Sequence, residues 1–105
     1  MLKKDGRYHF MWSSGSWMNG TYRVLYAVSD SVYGSFGGPR CILESDMTLA
    51  NGPGHHGYAK APDSDTYHIF YHRRILGDEK PGHRFLCKDI MEFDEEGYIK
   101  PLKMT

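Results

Sequence analysis

Tyr22-Arg23-Val24-Leu25-Tyr26-Ala27-Val28-Ser29 is the stretch whose reading decides the fold. Tyr22, Val24, Tyr26 and Val28 alternate with Arg23, Leu25 and Ala27. A period of two with aromatic and β-branched enrichment marks a strand. Apolar side chains stand on both of its faces, as expected of a sheet covered on both sides rather than one lying open to solvent.

Working toward the N-terminus, Arg7 to Ser13 repeats the alternation, with Tyr8, Phe10 and Trp12 on one face and His9 and Met11 on the other. The aromatic face is expected to enter the core, Trp12 included. Asp5-Gly6 supplies turn chemistry, so Leu2 to Lys4 should be the hairpin partner. Toward the C-terminus, loops at 13–20 and 33–39 lead to a short apolar strand at Cys41 to Leu43, closing a sheet of four strands. Glu44 to Pro53 reads as irregular, because Asn51-Gly52-Pro53-Gly54 combines permissive glycines with a proline that lacks a donor. That segment is taken as the boundary between units 1–46 and 47–105. A second set of four strands follows at 56–60, 67–72, 85–91 and 98–102, separated by Pro-, Gly- and Asp-rich turns.

The fold class is therefore all-β, with two four-stranded antiparallel sheets. Two units of roughly 50 residues match the spacing of propeller blades, and a compact eight-stranded β-sandwich would give the same strand count. Composition agrees with the class: 14% of the 105 residues are aromatic and 12 are glycine. The formal net charge is zero, which points to neither nucleic acid nor an anionic membrane as partner. No segment approaches the ~20 apolar residues of a membrane span, and the N-terminal residues lack the apolar stretch of an export signal. Cys41 and Cys87 stand apart, outside any C-x-x-C pair, and read as strand thiols.

Gly52-Pro53-Gly54-His55-His56-Gly57, followed by Tyr67-His68-Ile69-Phe70-Tyr71-His72-Arg73-Arg74, resembles the fifth blade of the five-bladed β-propeller glycoside hydrolases of family 43. Cys87 to Pro101 is similar to the closing pattern of that blade. The segments Lys3 to Ser13 and Tyr22 to Ser31 look like the fourth blade. The resemblance covers nearly the whole chain and implies the last two blades of an arabinofuranosidase or β-xylosidase type hydrolase of plant polysaccharides. It also implies that the general acid, a glutamate in an E-G-P segment, falls just before the residues matching Met1 to Lys4, and that both catalytic aspartates belong to earlier blades. Catalytic residues in this chain are accordingly expected to be none, and the chain alone inactive. A non-catalytic carbohydrate-binding β module is the alternative.

Among the acidic residues, Asp5, Asp63, Asp65 and Asp94 to Glu96 sit in turn contexts, where solvation and backbone hydrogen bonding explain them. Glu44 and Asp46 lie in the loop between units. By resemblance, His55 reaches the central cavity, where some family members place calcium. It is the candidate for sugar and metal contact, set against a loop histidine bonded to backbone. The resemblance implies no cofactor for the chain itself and allows calcium in the full-length parent. His68 and His72, four residues apart on one strand, lie about 13 Å apart and cannot share a zinc ion. His72 and Arg73 can reach sugar hydroxyls from the strand end or serve packing between blades. Trp17, in a Gly/Ser loop, is the stacking candidate. The expected partner is an arabinose- or xylose-containing oligosaccharide, with self-association through uncovered blade faces.

Overall fold

The structure is a computed structural model and describes residues 1–16, 20–46, 48–62, 64–77, 80 and 83–104. Seven strands form, β1 (Leu2–Lys4), β2 (Arg7–Ser14), β3 (Arg23–Ser29), β4 (Arg40–Leu43), β5 (Ala50–Lys60), β6 (Tyr67–Ile75) and β7 (Phe85–Met91), and no helix is present among the described residues. They make one sheet ordered β1-β2-β3-β4 and another ordered β5-β6-β7, with every pair antiparallel.

Local chemistry explains the meander. Asp5 and Gly6 take φ of 53° and 77°, and Lys4 pairs with Arg7, so the first hairpin closes through a two-residue turn with both central residues left-handed. Strand β3 lies between β2 and β4 and is buried on both faces, Val24 and Tyr26 on one and Ala27 on the other. This is what its two-sided apolar sequence requires.

Three expectations are corrected. First, β2 turns its other face inward: His9 and Met11 are buried, whereas Phe10 is 41% exposed. Trp12 is only half-buried and stacks on Phe10 at 5.4 Å, instead of entering the core. The inner face accepts His9 because its ring lies parallel to Tyr26 at 5.8 Å and edge-on to Phe93 at 5.7 Å.

Second, the Gly/Pro-rich run 50–54, read as irregular, is strand. From Asn51 to Gly54, and again from Gly54 to Gly57, β5 spends three steps against two on β6, so each interval carries a bulge. The bulge at Pro53 relieves proline of the ladder donor it lacks. The turn between sheets lies earlier, where Asp46 Oδ1 accepts from the Thr48 backbone N–H at 3.0 Å and hydroxyl at 2.6 Å, and Asp46 pairs with Ala50.

Third, the second sheet has three strands. The segment 98–102 makes one bridge, Phe93 with Ile99, then donates from Lys100 N–H to Glu92 O at 2.8 Å and from Leu102 N–H to Ile42 O at 2.6 Å. It crosses to the first sheet instead of extending the second. Pro101, between those two donors, has no N–H with which to continue a ladder.

The core lies between the sheets. Leu2, Met11, Val24, Tyr26, Ile42 and Leu43 from the first pack with Ala50, Tyr67, Ile69, Tyr71 and Met91 from the second, and Ile99 and Met104 close one side. Two tyrosine hydroxyls inside it are bonded. Tyr26 Oη accepts from Ile99 N–H at 3.0 Å, and Tyr71 Oη donates to Asp89 Oδ2. Direct contact between the sheets runs from β2 and β3 to β5. The radius of gyration is 14.1 Å, above the ~13 Å of a closed domain of about 100 residues. The arrangement is therefore two blade-like sheets side by side rather than a closed eight-stranded sandwich.

Candidate functional site at the β5 bulge

The second bulge of β5 presents His55. Its φ of 51° is left-handed and it is not glycine. Such a conformation costs about 1–2 kcal/mol and persists only where surrounding structure over-determines it. The side chain is nevertheless exposed. What holds it comes from three other places in the chain. Ser13 Oγ on β2 accepts from the His55 backbone N–H at 3.0 Å. Gly54, paired with His72, lies so close to Tyr22 that a Cβ would stand 2.3 Å from the ring. The His72 ring on β6 then lies between the other two, 5.6 Å from Tyr22 at an interplanar angle of 19° and 5.9 Å from His55 at 32°.

Both ring nitrogens of His72 are buried without a hydrogen-bond partner, as is Nδ1 of the adjoining His56. Burial is the first cause that pushes both imidazoles below their ordinary pKa; Arg84 and then His55 add to it at His72, and the N-terminal ammonium and His55 at His56. Both are neutral where an unperturbed histidine would begin to charge. A second anchor lies nearby: Ser45 Oγ accepts from Gly52 N–H at 2.9 Å and donates to Gly20 O at 2.7 Å, tying the first bulge to the loop that precedes β3.

Of the expected site residues, the structure brings His55 and His72 together. Arg73 is set apart, because alternation on β6 turns it from His72. It lines a shallow cavity of about 370 Å³ with Leu49, Ile75, Phe85 and Leu86. Trp17 lies outside the described residues. Tyr22 and Ser13 were missed as site residues. No sequence signal marks them, because the crowding of Gly54 against Tyr22 shows only in the structure.

Asp5, Asp46 and Asp94 behave as turn residues. Asp94 Oδ1 accepts from Glu96 and Tyr98 N–H, each at 2.9 Å. Hydrogen bonding and charge from Lys4 hold Asp5 below the ordinary carboxylate range, and hydrogen bonds from Thr48 do the same for Asp46. A general acid needs a shift in the opposite direction. Glu44 is approached by the Cys41 thiol at 3.7 Å. Asp63 lies outside the described residues.

Calcium takes six to eight oxygen ligands. Among the described residues no group of three or more His, Cys, Asp or Glu side chains is placed to hold a metal, and the surroundings of His55 are imidazole and phenol rings. Among the described residues, the surroundings of His55 do not fit a calcium site.

No protein-family model matches the chain. It is 39% identical over its whole length to a β-D-galactofuranosidase of Aspergillus niger, covering 31% of that protein. It is 30% identical over 98% of its length to a β-xylosidase of Xylanibacter ruminicola, covering 30% of that protein. The crystal structure of a thermostable family-43 glycoside hydrolase superposes on 94% of the chain with a TM-score of 0.78 and 28% identity, 32% of that structure being covered. The chain spans about a third of the length of the curated relatives it matches.

Proposed function

We propose that this chain, which belongs to glycoside hydrolase family 43, forms one wall of a pocket for arabinofuranosyl or xylosyl units in a plant-polysaccharide hydrolase and has no hydrolytic activity by itself. The observation that carries the reading is His55, an exposed imidazole held in an unfavourable backbone conformation by residues of both sheets. Strain maintained at an exposed polar side chain is what a binding site uses, whereas a loop histidine serving only its own backbone needs none. His55 offers a donor and an acceptor to sugar hydroxyls, and the His72 ring lies beneath it. Trp17 is assigned to sugar stacking and Arg73 to the packing of the wall.

Hydrolysis is a property of two carboxylates held in fixed relation across the scissile bond, roughly 6.5–9.5 Å apart in inverting enzymes. Asp5, Asp46 and Asp94 are engaged by turns or by Lys4 and Thr48, and Asp89 accepts from the Tyr71 hydroxyl. The test is incubation of the 105-residue chain with aryl arabinofuranoside, xyloside and galactofuranoside, against a Glu44→Gln, Asp46→Asn variant. The expected result is no aryl alcohol release above the variant. Release well above it would show that the chain carries its own catalytic pair.

A further inference from the structure

We infer that Tyr22 and His72 are positioning residues for His55: with Gly54 they form a three-ring column that locks the bulge of β5 and sets the direction in which the exposed imidazole is presented. That the presented imidazole meets sugar rests on the pocket reading above; the column itself does not.

The rings belong to three separate segments. Tyr22 lies in the connection leading into β3 of the first sheet, His72 on β6 and His55 on β5 of the second. None of them belongs to the buried apolar cluster between the sheets. Their order, Tyr22 to His72 to His55, carries a restraint from the first sheet across to the bulge. The Tyr22 ring is pinned between the Gly54 backbone on one side and the His72 imidazole on another. It cannot shift without disturbing both.

His72 suits the role chemically. A residue kept for its hydrogen bonds would have partners for its ring nitrogens, and here both are buried without any. What remains is the flat ring. Burial disfavours its charged form, which suits a ring that serves by stacking. Arg84 is the further cation facing it, and disfavours its protonation in the same sense. The Ser13 hydroxyl completes the restraint by accepting the His55 backbone N–H. That bond gives the arrangement a direct reporter: the exchange rate of the His55 amide.

The test is NMR on the 105-residue chain, following His55 amide hydrogen exchange and the His55 ring C–H resonances through a pH titration. Tyr22→Leu is expected to accelerate His55 amide exchange by about tenfold or more and to move its ring resonance, while the amides of buried Ile69 and Tyr71 keep their protection. Tyr22→Phe, which retains the ring, should restore both signals. His72→Ala should behave as Tyr22→Leu and His72→Phe as the unsubstituted chain. Unchanged His55 exchange in Tyr22→Leu, or failure of the phenylalanine variants to restore it, overturns the inference. Loss of protection at Ile69 and Tyr71 together with His55 in both Tyr22→Leu and His72→Ala would make the rings general packing residues and overturn it equally. Xylotriose and arabinotriose are then added to the unsubstituted chain. Absence of any shift at His55 would count against the pocket reading alone, because the exchange data judge the column independently.

Discussion

Replacing Gly54 by alanine adds a single methyl group at the most crowded point of the β5 bulge. An ideal Cβ there stands 2.3 Å from Tyr22 Cε2 and 2.4 Å from Cδ2, against an ordinary carbon contact of about 3.5–4.0 Å. The tyrosine must move by roughly 1 Å to accept it. The stack on His72 at 5.6 Å stands against that movement. Overpacking of this kind costs about 1–3 kcal/mol. Alanine also restricts the unfolded chain, worth about 0.4–1 kcal/mol in the opposite sense where the native φ suits it. Gly54 is not in the left-handed region, so no backbone strain adds to the cost. The net expectation is a loss of about 1–2 kcal/mol, read as a urea midpoint lowered by roughly 1 M, since small domains have slopes of about 1–3 kcal/mol per molar. A cycle with Tyr22→Ala identifies the cause. With the ring gone the three atoms nearest the added methyl are removed, and Gly54→Ala should become nearly neutral, a coupling of about 1 kcal/mol or more. A neutral or stabilising Gly54→Ala, or a cost that persists unchanged in the Tyr22→Ala background, would refute the close approach of backbone and ring.

Acid should destabilise the fold beginning near neutrality. Burial is the first cause lowering the pKa of His9, His56 and His72 in the folded chain. Above the unfolded value of about 6.5 both states are neutral and stability is complete. As pH falls below it the unfolded chain binds protons first, and stability drops by up to about 1.4 kcal/mol per pH unit per histidine until the folded-state values are reached. Urea titrations between about pH 7.5 and 5 should show this, and His9→Gln should flatten the slope. Tyr26→Phe removes the acceptor for the buried Ile99 N–H and should cost about 1–3 kcal/mol in the same assay; a cost below ~0.5 kcal/mol would mean that the 98–102 crossing is held otherwise. The outer side of β7 exposes Leu86 at 82% and Ile90 at 55%, and light scattering should show concentration-dependent association that a Leu86→Lys, Ile90→Lys variant reduces. A monomer at all concentrations would count against self-association through that edge.

Much of the fold is legible from local chemistry. The two-residue turn at Asp5-Gly6, the alternation of β3 on both faces and the Asx turn at Asp94 each depend on neighbours in the chain, so the residues themselves specify them. His55 stands out in the sequence only through the resemblance of its segment to family 43. Tertiary structure decided the rest. Whether β2 buries Phe10 and Trp12 or His9 and Met11 depends on which face meets the second sheet; a two-sided apolar strand leaves that choice open, and Tyr26 and Phe93, distant in sequence, settle it by packing on His9. Proline and glycine in 52–54 signal irregular backbone, yet a partner strand accommodates them through bulges that appear only once the β5 and β6 registers are compared. The C-terminal segment reads as a fourth strand until the Ile42 carbonyl takes the Leu102 N–H. Tyr22 and Gly54 are 32 positions apart, and nothing in either residue announces the other. Their contact exists because two sheets, each specified locally, are brought together by a core that neither holds alone, and the conformation of His55 follows from that meeting.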